Sequence, residues 1–377
     1  MTYYNTNIFT PEGWVQGGFR TENGSFTAVL PGLDDGDHDL HGAKVIPGLV
    51  DIHTHGCAGE DFSDGSLDGL HKMAASYARG GVTGFAPTTM TLPYSALDNA
   101  FRNAKAFLDA APEGCSRIAG IHMEGPFLSE KKKGAQNAEY LRAPDFEAFR
   151  LLYEGCGGLI RIVDVAPELP EAAEFTAKAS GLCTVSAAHT DADYETACAV
   201  FDAGASHVTH LFNAMPPVHH RKPGVIGAAS ERDCVTAELI CDGLHVHPSA
   251  VRMAFRLFPG RICLVSDSLR CCGMPDGEYE LGGQRVFLSG GVARLADGTI
   301  AGAATGLFED MRNAIRFGIP EEDAIRAATI IPARVIGAAD SIGSIEAGKH
   351  ADFLVCGEDL SLRQVYIGGK AVGQNDC

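Results

Sequence analysis

Two rhythms of apolar and polar residues divide this chain. Up to about residue 46, short apolar stretches alternate with Gly, Asn, Asp and Pro, as in Ser25-Phe26-Thr27-Ala28-Val29-Leu30 ahead of Pro31-Gly32. That pattern predicts short antiparallel strands joined by tight turns. From Val45 the rhythm changes to brief apolar runs followed by amphipathic stretches, with Leu67, Leu70, Ala74 and Ala78 marking one helical face between Leu67 and Arg79. Strand-then-helix repetition predicts a parallel sheet.

Eight apolar runs can serve as its strands, at 48–52, 84–87, 118–122, 159–165, 183–188, 207–210, 235–240 and 262–266. Their number matches a (β/α)8 barrel. An open doubly wound sheet would show fewer strands and a Gly-rich phosphate loop, and no GxGxxG follows the first run. Beyond the eighth run, residues 279–300 read as hairpin strands, 307–317 and 321–328 as helices, and 351–355 and 364–367 as strands again. The predicted fold is α/β: a TIM-like barrel over residues 47–334, with a smaller β-sandwich domain assembled from residues 1–46 and 335–377.

Charge narrows the possible partners. The 377 residues carry 30 Lys and Arg against 48 Asp and Glu, a formal net charge of −18. Nucleic acid and anionic membrane both need a basic surface, so neither is an expected partner. An anionic ligand must instead be met inside a local pocket. The 12 Cys are scattered through apolar segments with no CxxC pair, which predicts small buried hydrophobes in a reducing, cytoplasmic setting. No apolar run approaches the ~20 residues of a membrane span.

In a barrel, reactive groups project from the carboxyl ends of the strands. The polar residues at those ends are His53 and His55 after the first run, Glu124 after the third, His189 after the fifth, His210 ending the sixth and Asp267 after the eighth. His53 and His55, two residues apart, point to the same side of an extended chain. One such histidine alone would read as a structural hydrogen-bonder. Together the six form a nitrogen and oxygen donor set suited to a divalent ion such as Zn²⁺ or Fe²⁺. Asp267 in isolation would be a helix N-cap within Ser266-Asp267-Ser268, but its place after the eighth strand favours chemistry.

The segment Pro47-Gly48-Leu49-Val50-Asp51-Ile52-His53-Thr54-His55-Gly56 and the tail Gly343-Ser344-Ile345-Glu346-Ala347-Gly348-Lys349-His350-Ala351-Asp352 resemble the amidohydrolase superfamily of metal-dependent hydrolases. Within it, His122-Met123-Glu124-Gly125-Pro126-Phe127, His210-Leu211-Phe212-Asn213-Ala214-Met215 and Asp242-Gly243-Leu244-His245 resemble the N-acetylglucosamine-6-phosphate deacetylases. The resemblance implies hydrolysis of a sugar acetamide in amino-sugar catabolism, with one or two divalent metals, zinc or iron, per subunit. It implies Glu124, His189 and His210 as ligands of one ion, with His53, His55 and Asp267 completing the site, and Asp267 as the acid/base.

His245 is then expected to polarise the carbonyl or orient substrate, and Ala135, Gln136, Asn213, Ala214, Ile300, Ala301 and Gly302 to contact it. Arg221 is expected to reach phosphate across a homodimer interface, where its planar fork suits two oxygens. Gln136 departs from family members that carry His there, which excludes proton transfer at that position. The alternatives are a deacetylase for the galactosamine epimer, another amidohydrolase such as a cyclic-amide hydrolase, and a non-catalytic scaffold that has kept the fold. The second commonly uses a carboxylated lysine where this chain has Glu124, and the third should have lost ligands that are all present here.

Overall fold

The computed structural model describes residues 1–373, so residues 374–377 at the end of the expected small domain lie outside the described residues. Eight parallel strands run in barrel order: Leu49–Thr54, Val82–Thr89, Ile121–Met123, Ile160–Val165, Thr184–Ala187, His207–Val208, Thr236–Ile240 and Ile262–Val265. Between them lie amphipathic helices such as Leu67–Arg79, which starts where Ser66 accepts the Gly69 N–H and buries Leu70, Met73, Ala74, Tyr77 and Ala78. The third run, read as one strand, is broken into Arg117–Ile118 and Ile121–Met123.

First and eighth strands share no ladder, and side chains close that seam. The Asp51 carboxylate accepts the Ser266 hydroxyl at 2.6 Å and the amides of Ser266 and His53 at 3.3 Å. One step further on, the Asp267 N–H donates to the His53 carbonyl at 2.9 Å. The two chain segments that carry chemistry are therefore tied where they leave the barrel.

The terminal segments form one seven-stranded sheet, ordered Lys370–Ala371, Leu362–Ile367, Phe353–Cys356, His38–Pro47, Thr2–Thr10, Gly13–Glu22 and Ser25–Pro31. Its pairings are antiparallel except between Thr2–Thr10 and His38–Pro47. Phe26 and Phe353 sit four strands apart, which in a flat sheet means about 19 Å. Their ring centroids are 6.0 Å apart. The sheet rolls up around Tyr3, Phe19, Phe26 and Phe353, and the Phe26 N–H reaches the Lys349 carbonyl at 2.9 Å. The second layer expected of a sandwich is thus supplied by the same sheet.

A three-stranded meander, Gly277–Leu281, Gln284–Ser289 and Val292–Leu295, stands over the barrel mouth. Leu281, Val286 and Leu288 pack it against Met90, Leu269 and Ala301, and Gln284 bonds to the Ala135 carbonyl. Among the described residues no helix is long and apolar enough to cross a membrane.

Candidate active site

Glu124 is the hub of the barrel mouth. Its Oε1 lies 3.0 Å from His189 Nε2, 3.2 Å from His210 Nε2 and 3.6 Å from His53 Nε2, and its Oε2 lies 3.2 Å from His55 Nε2. Asp267 Oδ1 faces the same point, 3.3 Å from His55 Nε2 and 3.5 Å from His53 Nε2. All six residues are buried. Three of them, each two residues past the end of its strand, take the left-handed region, at φ +41° for His189, +32° for His210 and +48° for Asp267. Such backbone costs a non-glycine residue on the order of 1–3 kcal/mol, and here it turns the chain sharply at the mouth.

The electrostatics favour positive charge at this point. Burial opposes charge on His55, yet hydrogen bonds and attraction from Asp267 and Glu124 push it up to about 10. Burial likewise opposes charge on His53, but Glu238, Asp267 and Glu124 raise it well above its usual value. Burial would raise Glu124, while the surrounding histidines hold it well below the usual carboxylate range.

The donor set also fits a metal. His189 Nε2 and His210 Nε2 face each other at 3.0 Å, both converging on one carboxylate oxygen. His53 Nε2 is buried with no hydrogen-bond partner. Three trios, His53-His55-Glu124, Glu124-His189-His210 and, deeper in the barrel, His53-His122-Glu238, each bring their ligand atoms within 4.8 Å of one another. Converging lone pairs on imidazole and carboxylate are the chemistry of a borderline divalent cation.

Above this point lies a cavity of about 330 Å³. Of the expected substrate contacts, Ala135, Gln136, Asn213, Ala214, His245, Ile300 and Gly302 line it. His245 is held by Asp242, whose carboxylate takes its Nδ1 at 2.7 Å and its backbone N–H at 2.9 Å, leaving Nε2 as the uncommitted nitrogen. Burial would raise the Asp242 carboxyl, but these bonds keep it below its ordinary value.

Two expectations change. Ala301 has no exposed surface and packs inward with Leu269 and Leu281, because alternate residues of an extended segment face opposite ways. Gln136 lines the cavity, but its amide is already engaged, donating to Glu124 Oε2 at 2.6 Å and accepting the Thr91 N–H at 2.7 Å. Arg221, expected to act in the site of a second copy, is exposed and does not line the cavity of its own chain, and its guanidinium lies against His220.

Sequence reasoning also missed a buried polar layer beneath the ligands. Glu238 accepts from His53 and His207, and Asp164 from His122 and Thr209. The available signal was a charged residue inside an otherwise apolar strand, as in Thr236-Ala237-Glu238-Leu239-Ile240. The apolar side of the cavity, Met90, Leu269 and Leu281, was not foreseen either.

Comparison with known proteins agrees with this arrangement. Residues 44–372 match the model of the amidohydrolase family. The chain is 39% identical over 324 residues to N-acetylglucosamine-6-phosphate deacetylase of Bacillus subtilis (strain 168), covering 84% of this chain and 82% of that protein. It is 32% identical over 369 residues to N-acetylgalactosamine-6-phosphate deacetylase of Escherichia coli O157:H7, covering 96% and 97%. Among solved structures, N-acetyl-D-glucosamine-6-phosphate deacetylase of Mycobacterium smegmatis, in a mutant form complexed with N-acetyl-D-glucosamine-6-phosphate, superposes with a TM-score of 0.94 at 31% identity. The alignment covers 99% of both chains.

Proposed function

The chain belongs to the amidohydrolase family, and from that premise we propose that it hydrolyses the acetamide of N-acetyl-D-glucosamine 6-phosphate, giving D-glucosamine 6-phosphate and acetate in amino-sugar catabolism. One observation carries the reading: the Asp267 carboxylate stands within 3.5 Å of both imidazoles of the His53/His55 pair, beneath a cavity large enough for a sugar. The deacetylases to which the chain is similar supply the substrate class.

Amide hydrolysis needs an activated water, a polarised carbonyl and a proton for the departing amine. A divalent ion, Zn²⁺ or Fe²⁺, held by Glu124, His189 and His210, with a second available to His53, His55 and Asp267, supplies Lewis acidity and lowers the pKa of water. Asp267 takes a proton from the attacking water and delivers it to the sugar nitrogen as the tetrahedral intermediate collapses. The water's oxygen leaves in acetate, and the proton leaves on the amine. His245, braced by Asp242, orients the carbonyl through its remaining nitrogen. Gln136 braces Glu124 and presents no titrating group to the substrate.

Asn213, Ala214, Ala135, Ile300 and Gly302 contact the sugar. Arg221 binds phosphate in the site of a second copy, which makes the working unit a homodimer; it is exposed and does not line its own cavity, in keeping with that role. A cytoplasmic setting accords with cysteines such as Cys57, Cys241 and Cys263, which lie buried in the core as thiols. A non-catalytic scaffold is disfavoured, since the complete ligand and acid/base set converges.

The test is turnover of the N-acetylglucosamine and N-acetylgalactosamine 6-phosphates side by side. Faster acetate release from the glucosamine epimer is expected, and a preference for the other epimer would reassign the substrate.

A further inference from the structure

We infer that Glu238 is the positioning residue that couples the two halves of the ligand cluster, fixing which nitrogen of His53 faces the ion and where the backbone of His210 turns. The inference rests on the metal-dependent reading above.

Glu238 is fully buried at the centre of the seventh strand and points into the barrel. A buried carboxylate is tolerated only where donors surround it. Its Oε2 accepts His53 Nδ1 at 2.8 Å and the His210 backbone N–H at 3.1 Å, and its Oε1 accepts His207 Nε2 at 3.2 Å. The first two bonds go one to each trio that contains Glu124, since His53 stands with His55 and Glu124, and His210 with His189 and Glu124, while Glu238 itself forms a third, deeper group with His53 and His122.

The His53 contact sets chemistry as well as position. An ionised carboxylate only accepts, so Nδ1 must carry the hydrogen. Nε2 is thereby left facing Glu124 Oε1 at 3.6 Å and Asp267 Oδ1 at 3.5 Å, without a hydrogen-bond partner. An outer carboxylate orients a ligating histidine in this way and raises its basicity. The His210 contact holds an amide that the left-handed turn at φ +32° takes out of any ladder, and so aims Nε2 of that residue at Glu124. The third contact is different in kind. His207 bonds Thr236 Oγ1 at 2.6 Å with its other nitrogen, stitching strands six and seven, and belongs to none of the trios.

Three variants of the full chain separate these roles: Glu238→Gln keeps an acceptor but loses the charge, Glu238→Leu loses both, and His207→Gln disturbs the same carboxylate away from the ligands. Metal-stripped protein is titrated with zinc chloride alone against a competing chelator, and stoichiometry and affinity are read directly. Zinc affinity is expected to fall about 10-fold in Glu238→Gln and about 100-fold in Glu238→Leu, the range for outer-shell partners, and to stay near wild type in His207→Gln. Should Glu238→Leu fail to fold, Glu238→Gln decides alone. Unchanged affinity in the Glu238 variants, or an equal loss in His207→Gln, would overturn the assignment, leaving the carboxylate a role in strand packing only. A wild-type chain that binds no zinc would overturn the metal reading as well, an outcome distinguishable from the others because it precedes any substitution.

Discussion

His53 and Asp267 meet twice across the one seam of the barrel that lacks a strand ladder: the Asp267 N–H donates to the His53 carbonyl at 2.9 Å, and Asp267 Oδ1 stands 3.5 Å from His53 Nε2. Backbone and side chain of the proposed acid/base are thus referenced to the same ligand residue. A carboxylate placed this way can transfer protons without moving the atoms around it.

Asp267→Asn keeps the shape and the backbone bond to His53 but removes the proton acceptor. The variant is expected to fold and bind metal while kcat falls by about 10²–10⁴-fold, the usual worth of a positioned acid/base. Steady-state acetate release with metal analysis checks this, and near-normal turnover would refute the role.

Gly302 stands at φ +45°, where a Cβ would lie 2.8 Å from the Asp267 carbonyl oxygen and 2.7 Å from Leu269 Cδ2. Gly302→Ala must therefore push on the segment that holds Asp267 while also adopting backbone unfavourable to alanine. Expected is a loss of about 1–3 kcal/mol in stability, with a fall in kcat/KM larger than the change in metal affinity. Denaturant unfolding and kinetics on the same preparation measure both.

Gln136→Leu removes the donor to Glu124 Oε2 and leaves the Thr91 N–H buried without an acceptor. Metal affinity is expected to drop about 10–100-fold, and stability by about 1–3 kcal/mol. If Gln136 served substrate alone, KM would rise with metal affinity intact.

Asp310 supplies a pH signature from a group outside the ligand set. Burial, aided by repulsion from Asp242 and Asp51, raises its carboxyl well above the ordinary value, with only a Thr305 hydrogen bond opposing. The folded state then holds this proton more tightly than the unfolded chain, so stability from this group falls as pH rises above about 4, by at most about 1.4 kcal/mol per unit. Asp310→Asn removes that dependence. Its melting temperature relative to wild type should climb between pH 5 and pH 8, whereas a constant offset would speak against the raised pKa.

What was legible in the sequence follows from how local each signal is. His53, His55, Glu124, His189, His210 and Asp267 each end an apolar run, so strand periodicity and the barrel rule are enough to bring them to one mouth. Glu238 and Asp164 lie within their strands, and their partners His53 and His122 sit 185 and 42 residues away, so no local pattern could pair them. That the two chain ends share a domain was legible from their strand patterns, but the roll that brings Phe26 against Phe353 across four strands, in place of a second layer, was not. Ala301 and Gln136 depended on which way one side chain faced, and Gln136 turned out to brace Glu124.

A net charge of −18 does not oppose the proposed phosphorylated substrate if positive charge is local, and in this account a bound cation and Arg221 supply it. The most direct measurement is acetate release from N-acetylglucosamine 6-phosphate by metal-stripped protein reloaded with single divalent metals. Negligible release from the stripped protein, restored by zinc or iron at about one to two ions per chain, is the predicted result. Full release without metal, or none with any metal, would contradict it.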